Sequence, residues 1–405
     1  MASDLAVDFA PFDALPEPVL RLILLALPVD ARARAACVCR AWLALLSDPS
    51  LWHVLDLTPA GGVADERLTD TLVTGAVERC AGQMRVLSLN STPAPIPLVE
   101  GEYLAELLAY HGAELQQLNT VAIVTVEELD SLLDAAPRLQ AINAGVAGQC
   151  DDLLPILRNE PPYGPLRVSA LEIDGFGAAH AATLPALIAA VRAHESLNGL
   201  ILEDTDPPRA VNSLLVAVVQ RSVSWLILNN CSLDAESVSA LARLLQRGSL
   251  TDLRIMCAGF PHAQEASSPV LCAALQTCRM LTYLEVELNP EGGANRRTVA
   301  ELLDAAAALP ALEYLILDGS VFEDRAAAGH ALGALLRADL PNLRTVCVHN
   351  CHLGDEGLAP LLDGLAANTH LREVQCNAND VSPAFMRDRL APALAALAGR
   401  AALDA

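Results

Sequence analysis

The stretch Leu15 to Leu57, LPEPVLRLILLALPVDARARAACVCRAWLALLSDPSLWHVLDL, predicts three short apolar helices in succession. Pro16 suits the first turn of the first helix, where the missing N–H costs no hydrogen bond. Pro28 ends that helix, and Asp30 can cap the start of the second. Asp48 and Pro49 then end the second helix, so a third, short one follows. Within each helix, apolar residues recur at the spacing of one helical face.

The order of these helix starts and stops resembles the F-box, the adaptor-binding module of cullin-type ubiquitin ligases. The resemblance is carried by about a tenth of the chain, and it implies an F-box at residues 10–57 that binds a Skp-family adaptor and through it a cullin. The residues expected to supply the adaptor contacts are Leu15, Pro16, Leu20, Ile23, Leu24, Leu27, Pro28, Val38, Trp42, Leu51 and Trp52. The alternative is a helical cap that covers the end of the following domain and binds nothing.

After residue 83 the chain repeats an L-x-x-L-x-L segment, a turn and an Ala/Leu-rich helical stretch, with a mean step of about 29 residues. Eleven segments begin at Met84, Leu115, Leu139, Val168, Leu197, Val223, Leu250, Leu281, Leu312, Leu343 and Leu371. The first, fourth and sixth residues of each segment are expected to point inward, and stacking of neighbouring segments buries a continuous core. Three residues after the last apolar position stand Cys231, Asn289, Cys351 and Asn379, whose side chains are expected to bond the turning backbone.

This pattern resembles the ribonuclease-inhibitor-like class of leucine-rich repeats, and with the N-terminal helices it resembles the F-box/leucine-rich-repeat family. The implied fold class is an α/β leucine-rich-repeat solenoid (horseshoe) of strand–helix units, preceded by a small all-α F-box. We expect a linker and N-terminal cap at 58–83, about 11 repeats at 84–382 and a capping helix at 383–405. Prolines at 91–98 and 159–165 suggest inserted loops.

Parallel strands line the concave side of such a solenoid, so the intervening residues of each segment are expected to be exposed there. Because the chain has only three Trp and five Tyr, an aromatic cluster on this face is unusual. Aromatic and Arg side chains are enriched at binding hot spots, so we expect a protein ligand with apolar and basic anchors. The candidate residues are Trp225, Arg254, Tyr283, Glu285, Glu287, Tyr314, Asp318 and Arg344. The alternative is that these side chains only cover one another.

The net charge of −23 disfavours nucleic acid and anionic membranes as partners, because phosphates would be repelled. No long apolar stretch suits a membrane span, and the first residues do not resemble a secretory signal. The 11 cysteines are scattered without a pairing pattern, which is typical of reduced thiols. We therefore expect a cytoplasmic or nuclear protein.

The chain contains no lysine: all 26 basic residues are Arg. This excludes a Walker phosphate loop, a Schiff-base enzyme and a kinase, each of which needs a lysine amine. The nine His are dispersed and no nucleophile motif occurs, so we expect no catalytic residue, no cofactor and no metal. The cluster Cys347, His349, Cys351 and His352 lacks the remaining spacings of a structural zinc site.

The function implied by the resemblance is the substrate-recognition subunit of a cullin ubiquitin ligase, with chemistry left to other subunits. In that setting a chain without lysine would resist its own ubiquitination. A coding bias toward Ala and Arg would explain the absence of lysine equally well. The rival function is a ligase-independent protein-interaction scaffold or inhibitor built from the same repeats.

Overall fold

The computed structural model describes residues 15–58, 70–89, 101–164, 166–256, 268–287 and 296–403. They group into two compact units: residues 1–146 with 159–169 form unit 1, and residues 147–158 with 170–405 form unit 2. The loop expected at 91–98, residues 59–69 of the linker and cap expected at 58–83, and Asn289 lie outside the described residues.

Unit 1 begins with α1 (Glu17–Leu25), α2 (Val29–Ala35) and α3 (Arg40–Leu46), followed by a 3-10 turn at Pro49–Leu51. The helix predicted between Asp30 and Asp48 is therefore two helices, α2 and α3, and the short third helix predicted after Pro49 is the 3-10 turn. Pro16 and Pro28 are the N-cap residues of α1 and α2, in extended backbone conformations that start a helix but cannot continue one. The prolines read from the sequence therefore set the helix boundaries.

The remainder of unit 1 alternates strands and helices. Its strands lie side by side in chain order, and the pairs β1–β2 and β2–β3 are parallel. Its elements are β1 (Val54–Leu57), α4 (Asp70–Glu78), β2 (Val86–Leu89), α5 (Gly101–His111), β3 (Gln117–Thr125), α6 (Val126–Ala135) and β4 (Ala141–Gly148). The helix α4 lies in the region expected to be a linker and cap.

Strand β1 is a repeat strand that the sequence analysis did not identify. It pairs in register with β2, Val54 opposite Val86, and its residues Leu55 and Leu57 are fully buried. Read from Trp52, the sequence WHVLDL has the same inward-facing first, fourth and sixth positions as the later segments. The solenoid pattern therefore begins inside the segment assigned to the F-box, about 30 residues before Met84.

Unit 2 continues the same pattern. Its strands are parallel neighbours in chain order, and from β6 onward each begins two residues after the start of its predicted segment. The strands are β5 (Leu166–Asp174), β6 (Gly199–Glu203), β7 (Trp225–Asn229), β8 (Asp252–Met256), β9 (Tyr283–Val286), β10 (Tyr314–Ile316), β11 (Thr345–Cys347) and β12 (Glu373–Gln375).

A helix precedes β5 and each later strand is followed by one, so every unit-2 repeat is a strand and a helix. These helices are α7 (Cys150–Leu157), α8 (Leu184–Ala193), α9 (Pro208–Val218), α10 (Ala235–Gln246), α11 (Ser268–Leu275), α12 (Arg296–Ala307), α13 (Arg325–Arg337) and α14 (Gly354–Ala367). The predicted α/β solenoid of strand–helix units is confirmed.

The repeat core consists of the predicted inward positions. Leu226, Leu253, Leu284 and Leu315, which stand opposite one another on β7 to β10, have no exposed surface. Each fully buried leucine contributes roughly 1.5–3 kcal/mol relative to an exposed one. Because each repeat buries its leucines in a core shared with the neighbouring repeats, the stack stabilises itself repeat by repeat.

Buried polar side chains close the turns after the strands, as predicted. The Cys231 thiol donates to the carbonyls of Leu202 and Asn229 at 3.2 and 3.3 Å. The Asn379 amide donates to the carbonyls of Val348 and Cys376 at 2.7 and 2.9 Å. Cys351 makes equivalent bonds, and burial raises the pKa of its thiol to about 12. These cysteines are neutral structural donors.

Helices α13 and α14 approach closely because glycines face each other there. A β-carbon on Gly333 would lie 2.2 Å from the carbonyl oxygen of Pro360, which no atom can tolerate. After β12 the chain ends in a one-turn helix, α15 (Pro383–Phe385), a π-helical segment (Met386–Leu390) and α16 (Ala391–Leu403). The predicted single capping helix is therefore divided by a π-helical segment. Within the described chain, no helix has the length and hydropathy needed to cross a membrane.

Candidate functional site

The N-terminal helices expose large apolar side chains to an unusual degree. The structure describes twelve exposed large apolar residues, and half of them stand between residues 15 and 43. We call these six the exposed apolar set: Leu15, Val19, Leu22, Leu25, Val38 and Leu43, with exposed fractions from 37% for Leu15 and Leu25 to 68% for Leu22. Such a concentration in so short a segment makes this surface the first candidate for an interaction site.

Helix α1 divides its apolar residues between two faces. Val19, Leu22 and Leu25 follow one another at i+3 and are exposed, whereas Leu20 and Leu24 are buried. A free surface helix would need only the buried face to be apolar. The second apolar face of α1 is therefore available to a partner.

The predicted adaptor-contact residues separate into two groups. Leu15, Pro16, Pro28 and Val38 are exposed, and Ile23, Leu27 and Trp42 are partly buried. By contrast Leu20, Leu24, Leu51 and Trp52 are buried, the last three to 1% exposure. The expectation that this second group presents itself to an adaptor is wrong. Sequence analysis missed Val19, Leu22, Leu25 and Leu43, because periodicity cannot distinguish a second apolar face from a core face.

Trp52 is buried because it occupies the first inward position of the β1 repeat. Its indole Nε1 donates to the carbonyl of Leu46 at 2.7 Å, and its own carbonyl accepts from the Cys80 thiol at 3.0 Å. The guanidinium carbons of Arg32 and Arg79 lie 5.5 and 5.2 Å from its ring centroid. Trp52 thus joins the helical segment to the first repeat and contributes to the core.

Two arginines hold the helices in place. Arg32 is buried, donates through Nε to the carbonyl of Leu27 at 2.9 Å and through Nη1 to the carbonyl of Leu51, and burial lowers its pKa. Arg21 of α1 pairs with Glu17 at 2.9 Å and also with Asp48. The pKa of Asp48 falls to about 2 because it accepts from the Ser50 N–H and from Arg21. The exposed apolar set is therefore displayed by a fixed framework.

The second candidate surface is the sheet face of unit 2 opposite to its buried leucines, which we call the open face. Register confirms the predicted rows: Trp225, Asp252, Tyr283 and Tyr314 stand opposite one another on β7 to β10. In the next row, Ile227, Arg254, Glu285 and Ile316 do the same. Because alternate residues of a strand point to opposite faces, both rows share the open face.

The aromatic residues of the open face are not all exposed. The rings of Tyr283 and Tyr314 lie 5.7 Å apart at an interplanar angle of 33°, and Tyr314 is 37% exposed. Trp225 is only 8% exposed, so the expected exposed three-residue cluster is wrong in that member. Its neighbour on β6 is Gly199, which has no side chain, and the indole fills that space.

Arg254 is also buried, at 9% exposure, within a network on the open face. It pairs bidentately with Asp252, through Nε at 3.1 Å and Nη2 at 2.8 Å. Its guanidinium carbon lies 4.4 Å from the ring centroid of Tyr283, and its Nε lies 3.9 Å from Glu285. The Tyr283 hydroxyl completes the network by donating to Glu285 at 3.2 Å. Arg254 therefore supports the face more than it offers a free charge.

Excess negative charge remains on the open face after these pairs are counted. Burial, then the repulsion of Glu203 and Asp174, raises the pKa of Glu172. Burial also raises the pKa of Glu285, although Arg254 opposes the shift. Of the other candidates, Glu287 is partly buried and Asp318 is exposed. Arg344 donates to the His370 carbonyl at 3.1 Å. A cation beside these carboxylates would be stabilised.

Among the described residues no group of three or more His, Cys, Asp or Glu side chains is arranged to hold a metal ion. In the Cys/His cluster that the sequence raised as a zinc site, the Cys351 thiol donates to two backbone carbonyls. Burial raises the pKa of the Cys347 thiol in the same cluster. That the chain is non-catalytic stays a prediction.

Comparison with known proteins confirms the N-terminal resemblance. Residues 12–58 match the F-box-like family model. No curated protein matches the chain. An F-box-like segment therefore precedes leucine-rich-repeat units.

Several solved structures are similar to the chain at low identity. A protein from Bacteroides fragilis is 15% identical over 64% of this chain and 73% of its own, with a TM-score of 0.42. The leucine-rich-repeat protein LegL7 from Legionella pneumophila is 15% identical over 81% and 94%, with a TM-score of 0.33. A complex of TLR13 with ssRNA13 is 14% identical over 76% of this chain and 48% of TLR13, with a TM-score of 0.34. The fold assignment rests on the repeats themselves.

Proposed function

We propose that this chain is the substrate-recognition subunit of a cullin-type ubiquitin ligase. Its N-terminal helices bind a Skp-family adaptor, and the open face of unit 2 binds a protein substrate. The observation that carries the proposal is the exposed apolar set within the segment that matches the F-box-like model. The proposal places the protein in the cytoplasm or nucleus.

The exposed apolar set has the chemistry that a protein adaptor requires. Leu22, Val38 and Leu43 are each more than half exposed, so docking removes most of their apolar surface from water. Burial of such surface contributes about 25 cal/mol per Å², and a few such anchors dominate a typical interface. Arg21 joins α1 to Asp48, and Arg32 joins α2 to the Leu27 carbonyl after α1, so the helices are held in place before binding and little ordering is left to occur.

The open face supports a substrate with basic and aromatic or apolar anchors. Tyr314 offers an exposed ring beside Tyr283, and Glu285, Glu287 and Asp318 supply negative charge close by. Arg254 on the ring of Tyr283 is an internal example of the contact that a substrate arginine would make with Tyr314. In this reading Trp225 and Arg254 shape the face, and the tyrosines and carboxylates contact the substrate.

Co-expression with a Skp-family adaptor tests the adaptor claim. We expect stoichiometric co-purification of the wild type, and loss of the adaptor from the double variant Leu22→Asp/Val38→Asp. Both positions are exposed, so the variant is expected to keep the circular dichroism and unfolding midpoint of the wild type. The matched control is Val270→Asp on α11, which also places a charge on an exposed valine, and it is expected to retain the adaptor. A folded wild type that fails to bind the adaptor would leave the scaffold function in its place.

Binding of an acetylated Arg/Leu peptide tests the substrate claim. We expect saturable binding that weakens with salt and at least tenfold with Tyr314→Ala/Asp318→Asn. The control Glu195→Gln/Tyr110→Ala removes an acid and an exposed ring elsewhere. Equal loss in both variants would show nonspecific attraction to the acidic chain and would contradict an open-face site.

A further inference from the structure

A cavity, distinct from both surfaces above, lies at the helices α8 and α9 of unit 2. Its volume is about 660 Å³, within the range of sites that hold small organic molecules. Phe176, Leu184, Ile188 and Pro207 contribute apolar walls, and Arg192 and Arg209 also line it. The sheet carries the open face, so this helix-side cavity is not part of it.

The apolar wall follows from the spacing along α8. Leu184, Ile188 and Arg192 recur at i, i+4 and i+8, so they form one line about 12 Å long on the helix surface. Phe176 is buried at 1% exposure and supplies the floor from the segment before α8. An elongated apolar group would fit along this line.

The two arginines are the polar groups that require a partner. Neither Arg192 nor Arg209 makes a hydrogen bond or an ion pair with any residue that the structure describes, and both are exposed at the cavity. The chain carries 49 acidic residues and only 26 arginines, so carboxylates are abundant in it. Arg192 and Arg209 nevertheless have none as a partner among the described residues. Two unpaired guanidinium groups on one cavity attract an anion.

The start of α9 adds a second, independent source of positive potential. Its N-cap is Pro207, which makes no side-chain cap, and the next residue, Pro208, has no N–H. The Ala210 N–H donates to the Pro207 carbonyl at 2.8 Å, so the Arg209 N–H is the donor that lacks a side-chain acceptor of the kind that Asp234 supplies to α10. Helix N-termini favour anions because of the helix dipole and of such a donor. The uncapped end contributes Pro207, Arg209 and Ala210 to the cavity.

We propose that the α8–α9 cavity binds an apolar carboxylate of the fatty-acid class. The carboxylate is held by the guanidinium groups of Arg192 and Arg209 with the N-terminus of α9, and the hydrocarbon chain lies along Leu184 and Ile188 over Phe176. This site does not depend on the proposed ligase function. It gives the repeat unit a ligand whose binding stabilises the chain by mass action.

Isothermal titration calorimetry with monomeric dodecanoate tests the proposal. We expect one saturable site on the full chain, and at least tenfold weaker binding to Arg192→Gln/Arg209→Gln. The matched control Arg243→Gln/Arg247→Gln removes two exposed arginines at the C-terminal end of α10, where Arg247 is the C-cap. It makes the same change in net charge and is expected to bind as the wild type does. Ile188→Trp, which fills the cavity without altering charge, is expected to abolish binding.

Titrations with dodecylamine and dodecanol distinguish a site that requires a carboxylate from nonspecific binding to an apolar surface. We expect the amine not to bind and the alcohol to bind at least tenfold more weakly than dodecanoate. Equal binding of all three, an equal loss in the α10 control, or no binding of dodecanoate would overturn the proposal. Binding of an acetylated Glu/Leu peptide in place of dodecanoate would make the cavity a peptide groove and would also overturn it.

Discussion

The indole ring of Trp225 occupies the space that a side chain on Gly199 would fill. A β-carbon on Gly199 would lie 1.9 Å from Cε2 of the indole, and the two residues are direct partners in the β6–β7 register. The absence of a side chain at Gly199 thus lets the indole of the neighbouring strand occupy this space and become buried. This relationship turns a predicted contact residue into a structural one.

Gly199→Ala is expected to destabilise the chain by about 1–3 kcal/mol, because the rigid indole must move from its place. A lower unfolding midpoint in urea, with a red shift in the tryptophan emission, would show the displacement. Gly399→Ala is the control, since nothing lies within 4 Å of its added β-carbon. An unchanged midpoint for Gly199→Ala would contradict the packing described for Trp225.

Arg254→Ala is expected to cost about 3–5 kcal/mol, because removing one partner of a buried ion pair leaves the other charge uncompensated. Asp252 is that partner, and burial already raises its pKa. Arg254→Lys is expected to fall between the wild type and Arg254→Ala, since lysine keeps the charge but not the bidentate pair. The comparison is chemical denaturation beside Arg243→Ala, an exposed arginine on α10. Equal stability of the two alanine variants would make Arg254 a free contact residue after all.

Glu172→Gln is expected to stabilise the chain at pH 7. The folded pKa of Glu172 is raised by burial and by Glu203, so its ionised form is disfavoured in the native state. The native state then binds more protons than the unfolded state between the ordinary and the raised pKa, so the wild type loses stability as pH rises through that window. The advantage of Glu172→Gln should therefore shrink as pH falls to about 4.5, the ordinary value.

Thermal unfolding of both proteins between pH 4 and 7.5 measures this difference. Glu195→Gln, in the exposed loop after α8, is the control and should follow the wild type at every pH. A Glu172→Gln advantage that is constant with pH would mean that ionisation of the buried Glu172 is not its origin.

The lysine-free sequence gives a prediction for the proposed ligase. In a reconstituted ubiquitination reaction, Arg243→Lys/Arg247→Lys is expected to become modified on α10, whereas the wild type offers only its N-terminal amine. Arg243→Gln/Arg247→Gln controls for the lost arginines. Mass spectrometry locates the modified residue, and equal modification of wild type and lysine variant would favour coding bias as the reason for the absence of lysine.

The sequence predicts the repeat strands well because their signal is local. Leu226 and Leu228 are spaced as a strand with one buried face requires, and the same pattern recurs in the later repeats. Strand β1 was not predicted, because Trp52 stands where the repeat pattern has leucine and because its residues were assigned to the N-terminal helical segment. Knowledge of the later repeats would have allowed the WHVLDL segment to be aligned with them.

For a helix with apolar residues on two faces, one sequence does not show which face is buried. Leu24 and Leu22 are both apolar residues of α1, yet the first is 1% and the second 68% exposed. Which face of α1 is buried depends on its tertiary contacts, such as those with the 3-10 turn at Pro49–Leu51. The cavity at α8 and α9 was not predicted because tertiary packing forms it: Arg192 and Ile188 are brought beside Arg209 only by the packing of the two helices.

The measurement that tests the central claim most directly is the mass of an assembly. The chain is mixed with a Skp-family adaptor and the adaptor-binding half of a cullin, and the complex is analysed by size-exclusion chromatography with light scattering. We expect a 1:1:1 complex for the wild type, and for Leu22→Asp/Val38→Asp a separate peak of folded chain beside the adaptor–cullin pair. Elution of the wild-type chain apart from an intact adaptor–cullin pair would contradict the claim that it is a ligase subunit.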